Sequence, residues 1–72
     1  MPSNRDNIKK EGQVVEALPS ASFRVFMDDG AEAIGHLSGK MRLHYIKVLV
    51  GDMVLMEFSP HDPKRGRIIK RM

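Results

Sequence analysis

Between Ser38 and Leu49 the chain reads Ser-Gly-Lys-Met-Arg-Leu-His-Tyr-Ile-Lys-Val-Leu, the one stretch of its 72 residues that does not alternate like a strand. Ser38 is a competent helix N-cap and Gly51 a competent stop, which predicts a short helix or helical turn between them. At about 100° per residue, Lys40, His44 and Lys47 fall on one stripe and Met41, Tyr45 and Val48 on the next. The apolar stripe suits a plug at the end of a small barrel. The basic stripe has two uses open to it, a solvated face or contact with an anion.

Around this segment the pattern is that of strands. Ile8 to Leu18 alternates loosely, with Gly12, Val14 and Leu18 on one face, and Gly12 marks a bend or a close backbone approach. After the turn cluster Pro19-Ser20-Ala21-Ser22, Phe23, Val25 and Met27 alternate with Arg24, Phe26 and Asp28. Asp29-Gly30 then signals a hairpin, with glycine supplying the positive φ. A third strand, Ala31 to Leu37, turns Ala33, Gly35 and Leu37 inward and Glu32, Ile34 and His36 outward, and its small inward residues let a barrel close tightly. Gly51-Asp52 leads into Met53 to Phe58, where Val54, Met56 and Phe58 alternate with Met53, Leu55 and Glu57. Ser59 to Gly66 is a loop by its prolines, Asp62 and Gly66, and Arg67 to Arg71 closes as a basic fifth strand. Arg24 and Glu57, both outward, are expected to pair across the sheet.

Five short strands with a helix between the third and fourth is the plan of the OB-fold, an all-β, five-stranded Greek-key barrel that binds oligonucleotides. An SH3-like barrel also has five strands but does not ordinarily place so long a helical and linker segment there. Residues 1–7 are polar, contain Pro2 and lack periodicity. The expected organisation is therefore a disordered segment over 1–7 and a single OB-fold domain over 8–72.

A chain this short buries only about 60% of its unfolded surface and has no room for a deep substrate cavity beside its core. Stability on the order of 3 to 5 kcal/mol is expected. There is no cysteine, hence no disulfide and no thiolate chemistry, which suits a reducing cytoplasm. The longest apolar runs, such as Val48 to Val50, fall far short of the roughly 18 residues of a membrane span, and the first residues are unlike a signal peptide. A cytoplasmic protein with no membrane partner is expected. Residues 1–35 carry four basic and six acidic side chains, a balance of −2, whereas residues 36–72 carry eight and three, a balance of +5. A segregated basic surface on a domain with pI above about 9 is the footprint of a nucleic-acid binder.

Taken in order, Phe23-Arg24-Val25, then Gly35-His36-Leu37-Ser38-Gly39-Lys40-Met41-Arg42 with Tyr45-Ile46, then Gly51-Asp52 with Val54, then Gly66-Arg67-Ile68 resemble the bacterial translation initiation factor one family. The resemblance runs from about Ile8 to Ile69, and the length is typical of the bacterial form. It implies an OB-fold that binds the small ribosomal subunit at its decoding site, where the aminoacyl-site tRNA would sit, in contact with ribosomal RNA. It also implies cooperation with the other translation initiation factors as the initiation complex assembles. By matching position, it implies RNA contacts at Lys40, Met41, Arg42 and Tyr45 in the plug, at Arg67 in the last strand and, less directly, at His36 and Arg71. The chain departs from the family pattern at Lys70, where an aromatic residue is usual, and at His61, where tyrosine is common. Phe26, Met53 and Leu55 are apolar where relatives often carry polar or charged groups.

The residue chemistry is consistent with such a role. Guanidinium groups at Arg42, Arg67 and Arg71 can each grip two phosphate oxygens, and Lys40, Lys47 and Lys64 can act as point charges. Stacking partners for unpaired bases are few, because Phe23 and Phe58 point inward by alternation. That leaves Phe26, Tyr45 and three imidazoles. Tyr45 has two readings, a barrel-bottom side chain with a wet hydroxyl or an RNA contact. His36, His44 and His61, spaced by 8 and 17 residues, match no compact ligand motif, so neither a metal nor another cofactor is expected. No Gly-x-Ser-x-Gly elbow, phosphate-binding glycine loop or tuned carboxylate pair is present, and catalysis is not expected. Two other readings compete with the ribosomal one: a general single-stranded RNA or DNA chaperone of cold-shock type, and a protein-interaction module using Phe26, Ile34, Met53 and Leu55. A monomer in isolation is expected.

Overall fold

A computed structural model describes residues 7–44 and 47–72. Its elements are β1 (Ile8–Leu18), β2 (Ser22–Met27), β3 (Glu32–Leu37), α1 (Gly39–Leu43), β4 (Met53–Phe58) and β5 (Arg65–Arg71). The strands close in the order β1-β2-β3-β5-β4, with β4 returning to β1. Every pairing is antiparallel except that of β3 with β5. This is the five-stranded OB barrel expected from the alternation, with its short helix between the third and fourth strands.

The inward set is largely the one the period of two selects. Val14, Val25, Met27, Ala33, Val54, Met56, Phe58 and Ile68 form the core, joined by Met41 from α1 and Val48 from the segment beyond it. Phe23 and Leu37 pack against this cluster while half-buried. Gly12 is the close approach anticipated for it, since a Cβ there would stand 2.7 Å from Val25 Cγ1 and 2.9 Å from the Phe26 carbonyl oxygen. Gly30, at φ 90°, makes the β2–β3 turn, in which its N–H donates to the Met27 carbonyl at 3.0 Å. That turn is tied to β1 by Lys10 Nζ, 2.6 Å from Asp29 Oδ2. The hydrogen bond from Lys10, helped by the Ala31 N–H, holds the Asp29 carboxyl below its ordinary range.

Several expectations are corrected. The helix ends at Leu43 instead of running towards Gly51, so Lys47 and Val48 do not share a helical stripe with Lys40 and Met41. The reason is that the chain is claimed by β1: Gly51 N–H donates to the Val14 carbonyl at 2.8 Å, and Val14 N–H to the Asp52 carbonyl at 2.9 Å. β2 begins at Ser22 and β5 at Arg65, each earlier than expected, and β3 begins one residue later, at Glu32. A bulge between Val14 and Glu16 moves Leu18 from the face of Val14 to that of Ser22 and Arg24. Arg24 does not reach Glu57, because β2 and β4 are not neighbours. Its Nε lies 3.3 Å from Glu16 Oε1, and Glu57 pairs with Arg67. Tyr45 and residues 1–6, which include nearly all of the segment expected to be disordered, lie outside the described residues.

Ser38 caps α1 as expected, its Oγ accepting the Met41 N–H at 3.2 Å. The hydroxyl is buried, so water is poorly placed to replace it. Ser38→Ala is expected to lower stability by about 1 kcal/mol, seen as a lower urea midpoint at unchanged slope.

Candidate nucleic-acid interface

The seam between parallel strands β3 and β5 organises the cationic residues. His36 is paired in register with Arg67, and Leu37 with Ile68. One residue further on, Ser38 N–H donates to the Ile68 carbonyl at 3.0 Å, so α1 starts directly from the middle of β5. Lys40 and Arg42, both exposed, follow within the same short helix. The bulge between Leu55 and Met56 sets Arg71 opposite buried Val54, and Arg71 Nη1 donates to the Lys47 carbonyl at 3.0 Å. The segment after the helix is thereby fastened back to the end of β5. His36, Lys40, Arg42, Lys47, Arg67 and Arg71 are thus linked through one strand.

Two of these side chains already have partners on the outer wall. His36 Nδ1 lies 2.8 Å from the buried Ser22 hydroxyl, which orients the ring along the surface. Arg67 Nη2 donates to Glu57 Oε1 at 3.2 Å. Met41 behaves differently from the other expected contact residues: it is 1% exposed and part of the core. Its side chain can act on a ligand only by fixing the helix that carries Lys40 and Arg42. Tyr45, the remaining expected contact in the plug, lies outside the described residues.

Sequence reasoning missed three features here. The Ser22–His36 hydrogen bond depends on cross-strand register, which no local pattern discloses. The turn before Ser22 holds Ser20 and Ala21 at φ 62° and 56°, a left-handed conformation that costs roughly 1 kcal/mol or more per non-glycine residue. An open cleft lined by Arg24, Glu32, Ala33, Ile34 and Lys64 also lies on the barrel wall. It opens where the β3–β5 ladder stops: Ile34 N–H reaches the Lys64 carbonyl, but Lys64 N–H turns to Asp62 Oδ1 at 3.1 Å.

The interface is cationic and poor in rings. Phe26 is 48% exposed and stands on the outer wall in register with Glu32. No group of three or more His, Asp or Glu side chains able to hold a metal ion occurs among the described residues. No helix among them is long and apolar enough to cross a membrane.

Over residues 1–72 the chain matches the family described as translation initiation factor 1A / IF-1. Its fold is similar to the solution structure of the translation initiation factor IF-1 from the Wolbachia endosymbiont strain TRS of Brugia malayi. That likeness has 43% identity and a TM-score of 0.79, covering 97% of this chain and 83% of the other. The crystal structure of YjeQ from Thermotoga maritima is similar at 29% identity and a TM-score of 0.72, over 90% of this chain but only 23% of YjeQ. The barrel order, the capped plug and the whole-length match agree: this chain belongs to the translation initiation factor 1A / IF-1 family.

Proposed function

We propose that the protein binds the small ribosomal subunit at its decoding site, where the aminoacyl-tRNA would sit, and works there with the other initiation factors as the initiation complex assembles. The observation that carries this reading is the junction of α1 with β5 through Ser38 and Ile68, which gives Lys40, Arg42, His36 and Arg67 a common frame. Basic side chains on a rigid support can neutralise several phosphates of one folded RNA at once, whereas phosphates met singly gain little. The protein acts by occupancy, without catalysis and without a cofactor, as one domain over residues 8–72 and as a monomer before it docks. Its place of action is the cytoplasm, with the ribosome.

A cold-shock type chaperone reading draws little support, since such a platform needs clustered exposed rings, and Phe26 is the one exposed phenylalanine among the described residues. Chemical footprinting on isolated small subunits discriminates between the two. Protection concentrated at the decoding site is expected. Protection elsewhere, or equal affinity for subunits and for random single strands, refutes the proposal.

A further inference from the structure

We propose that Ser22 is a positioning residue for RNA binding: by donating to His36 Nδ1 it fixes the tautomer in which Nε2 carries the proton, and Nε2–H is the group His36 offers to a phosphate oxygen. The inference rests on the function proposed above and gives a part to a residue outside the basic motif. Among the described residues the buried polar side chains are Ser22 and Ser38. Ser38 is accounted for by the cap of α1. Ser22 caps no helix; its hydroxyl lies 2.8 Å from His36 Nδ1 and 3.4 Å from the Ser20 carbonyl oxygen. A serine hydroxyl has one proton to give. The approach to Ser20 is longer than the roughly 2.5 to 3.0 Å of an ordinary O–H···O bond, so the proton goes to Nδ1. A neutral imidazole that accepts at Nδ1 carries its own hydrogen on Nε2. The opposite tautomer would turn an Nε2 lone pair towards the RNA, which repels a phosphate oxygen.

Register does the aiming. His36 is flanked by Ser22 on β2 and by Arg67 on β5, each in register with it. The two nitrogens of an imidazole point away from each other, so an Nδ1 turned to β2 leaves Nε2 turned from it, on the side of Arg67. Ser22 is 6% exposed whereas His36 is exposed. The anchoring nitrogen is thus shielded and the free one open to a ligand. Water is poorly placed to compete for the buried hydroxyl, and the ring is already set when RNA arrives. Ordering a side chain before docking removes that cost from binding.

The test measures affinity for purified small subunits at about pH 8, where an ordinary imidazole is neutral, together with the nitrogen NMR spectrum of His36 in the free protein. S22A is expected to bind about two- to tenfold more weakly than the wild type. In an H36A background the same change should leave affinity where it was, because Ser22 acts only through the ring. The spectrum should show a protonated Nε2 and an unprotonated Nδ1 in the wild type, and a mixture of tautomers in S22A. Wild-type affinity in S22A, a loss that persists in H36A, or a wild-type proton on Nδ1 each overturns the inference. Should S22A fail to fold, S22C, which keeps the volume but donates weakly, takes its place in the same cycle, and the wild-type spectrum is read as before. A wild-type protein that does not bind subunits refutes the functional proposal; binding that H36A leaves untouched refutes this inference alone.

Discussion

Ile68→Ala is expected to leave much of the protein unfolded at 25 °C. Ile68 is fully buried, and its Cγ1 and Cδ1 lie 2.9 and 3.1 Å from the point a Cβ on Gly35 would occupy, so it fills the space that the missing side chain leaves. Its carbonyl also accepts the Ser38 N–H that starts α1. Shortening a buried isoleucine to alanine costs about 2 to 5 kcal/mol, through lost transfer energy and the cavity left behind. A domain of this size has only about 3 to 5 kcal/mol in all. Urea titration followed by circular dichroism should give a cooperative transition for the wild type and a truncated or absent native baseline for the variant. Ile69, half-buried beside the β5 bulge, should tolerate alanine with a much smaller loss. Equal losses at the two positions would contradict the core assignment.

That contrast between neighbours marks how far alternation carries a reader of the sequence. β1 and β4 have the bounds the pattern predicts, because a strand with one wet and one dry face writes its burial into every second residue. The bulges at Val15 and Ile69 leave no comparable trace, since both residues are aliphatic and would suit either face. The helix end is illegible for another reason. Nothing between Leu43 and Gly51 forbids a helix; the backbone bonds of Gly51 and Asp52 to Val14 draw the chain away, and they depend on β1, far off in sequence. The candidate interface divides along the same line. Its cations are evident from the charge imbalance between the halves, and His36 and Arg67 belong to strands whose order the OB plan already sets side by side. Which carboxylate each cation meets is a matter of register, so alternation alone points Arg24 at Glu57, whereas the barrel gives it Glu16 and gives Glu57 to Arg67. Met41 shows the reverse limit: a residue inside the basic motif can serve it entirely from the core.

Loss of Lys40 and Arg67 together should weaken binding to the small subunit by on the order of 30-fold at 0.1 M salt, the largest functional effect expected from a pair of surface changes. Each alanine removes one phosphate contact and the counterion released with it, so the double variant's salt slope should flatten by roughly 1.4 to 1.8. Lys40 lies on α1 and Arg67 on β5, but the Ser38–Ile68 hydrogen bond makes the two elements one rigid support. Simple additivity is therefore expected for Lys40, which has no ion-pair partner among the described residues. Arg67 should cost somewhat more than its counterion, because its loss also leaves the largely buried Glu57 carboxylate facing the RNA backbone. Lys10→Ala is the matched control, since Lys10 is occupied by Asp29 in the β2–β3 turn and should leave the slope unchanged. Sedimentation of purified subunits with each variant across a salt series reads these slopes directly. A double variant with the wild-type slope would mean that Lys40 and Arg67 never face the same polyanion, and a Lys10 variant as damaged as the double would mean that net charge, not the β3–β5 seam, holds the protein to RNA.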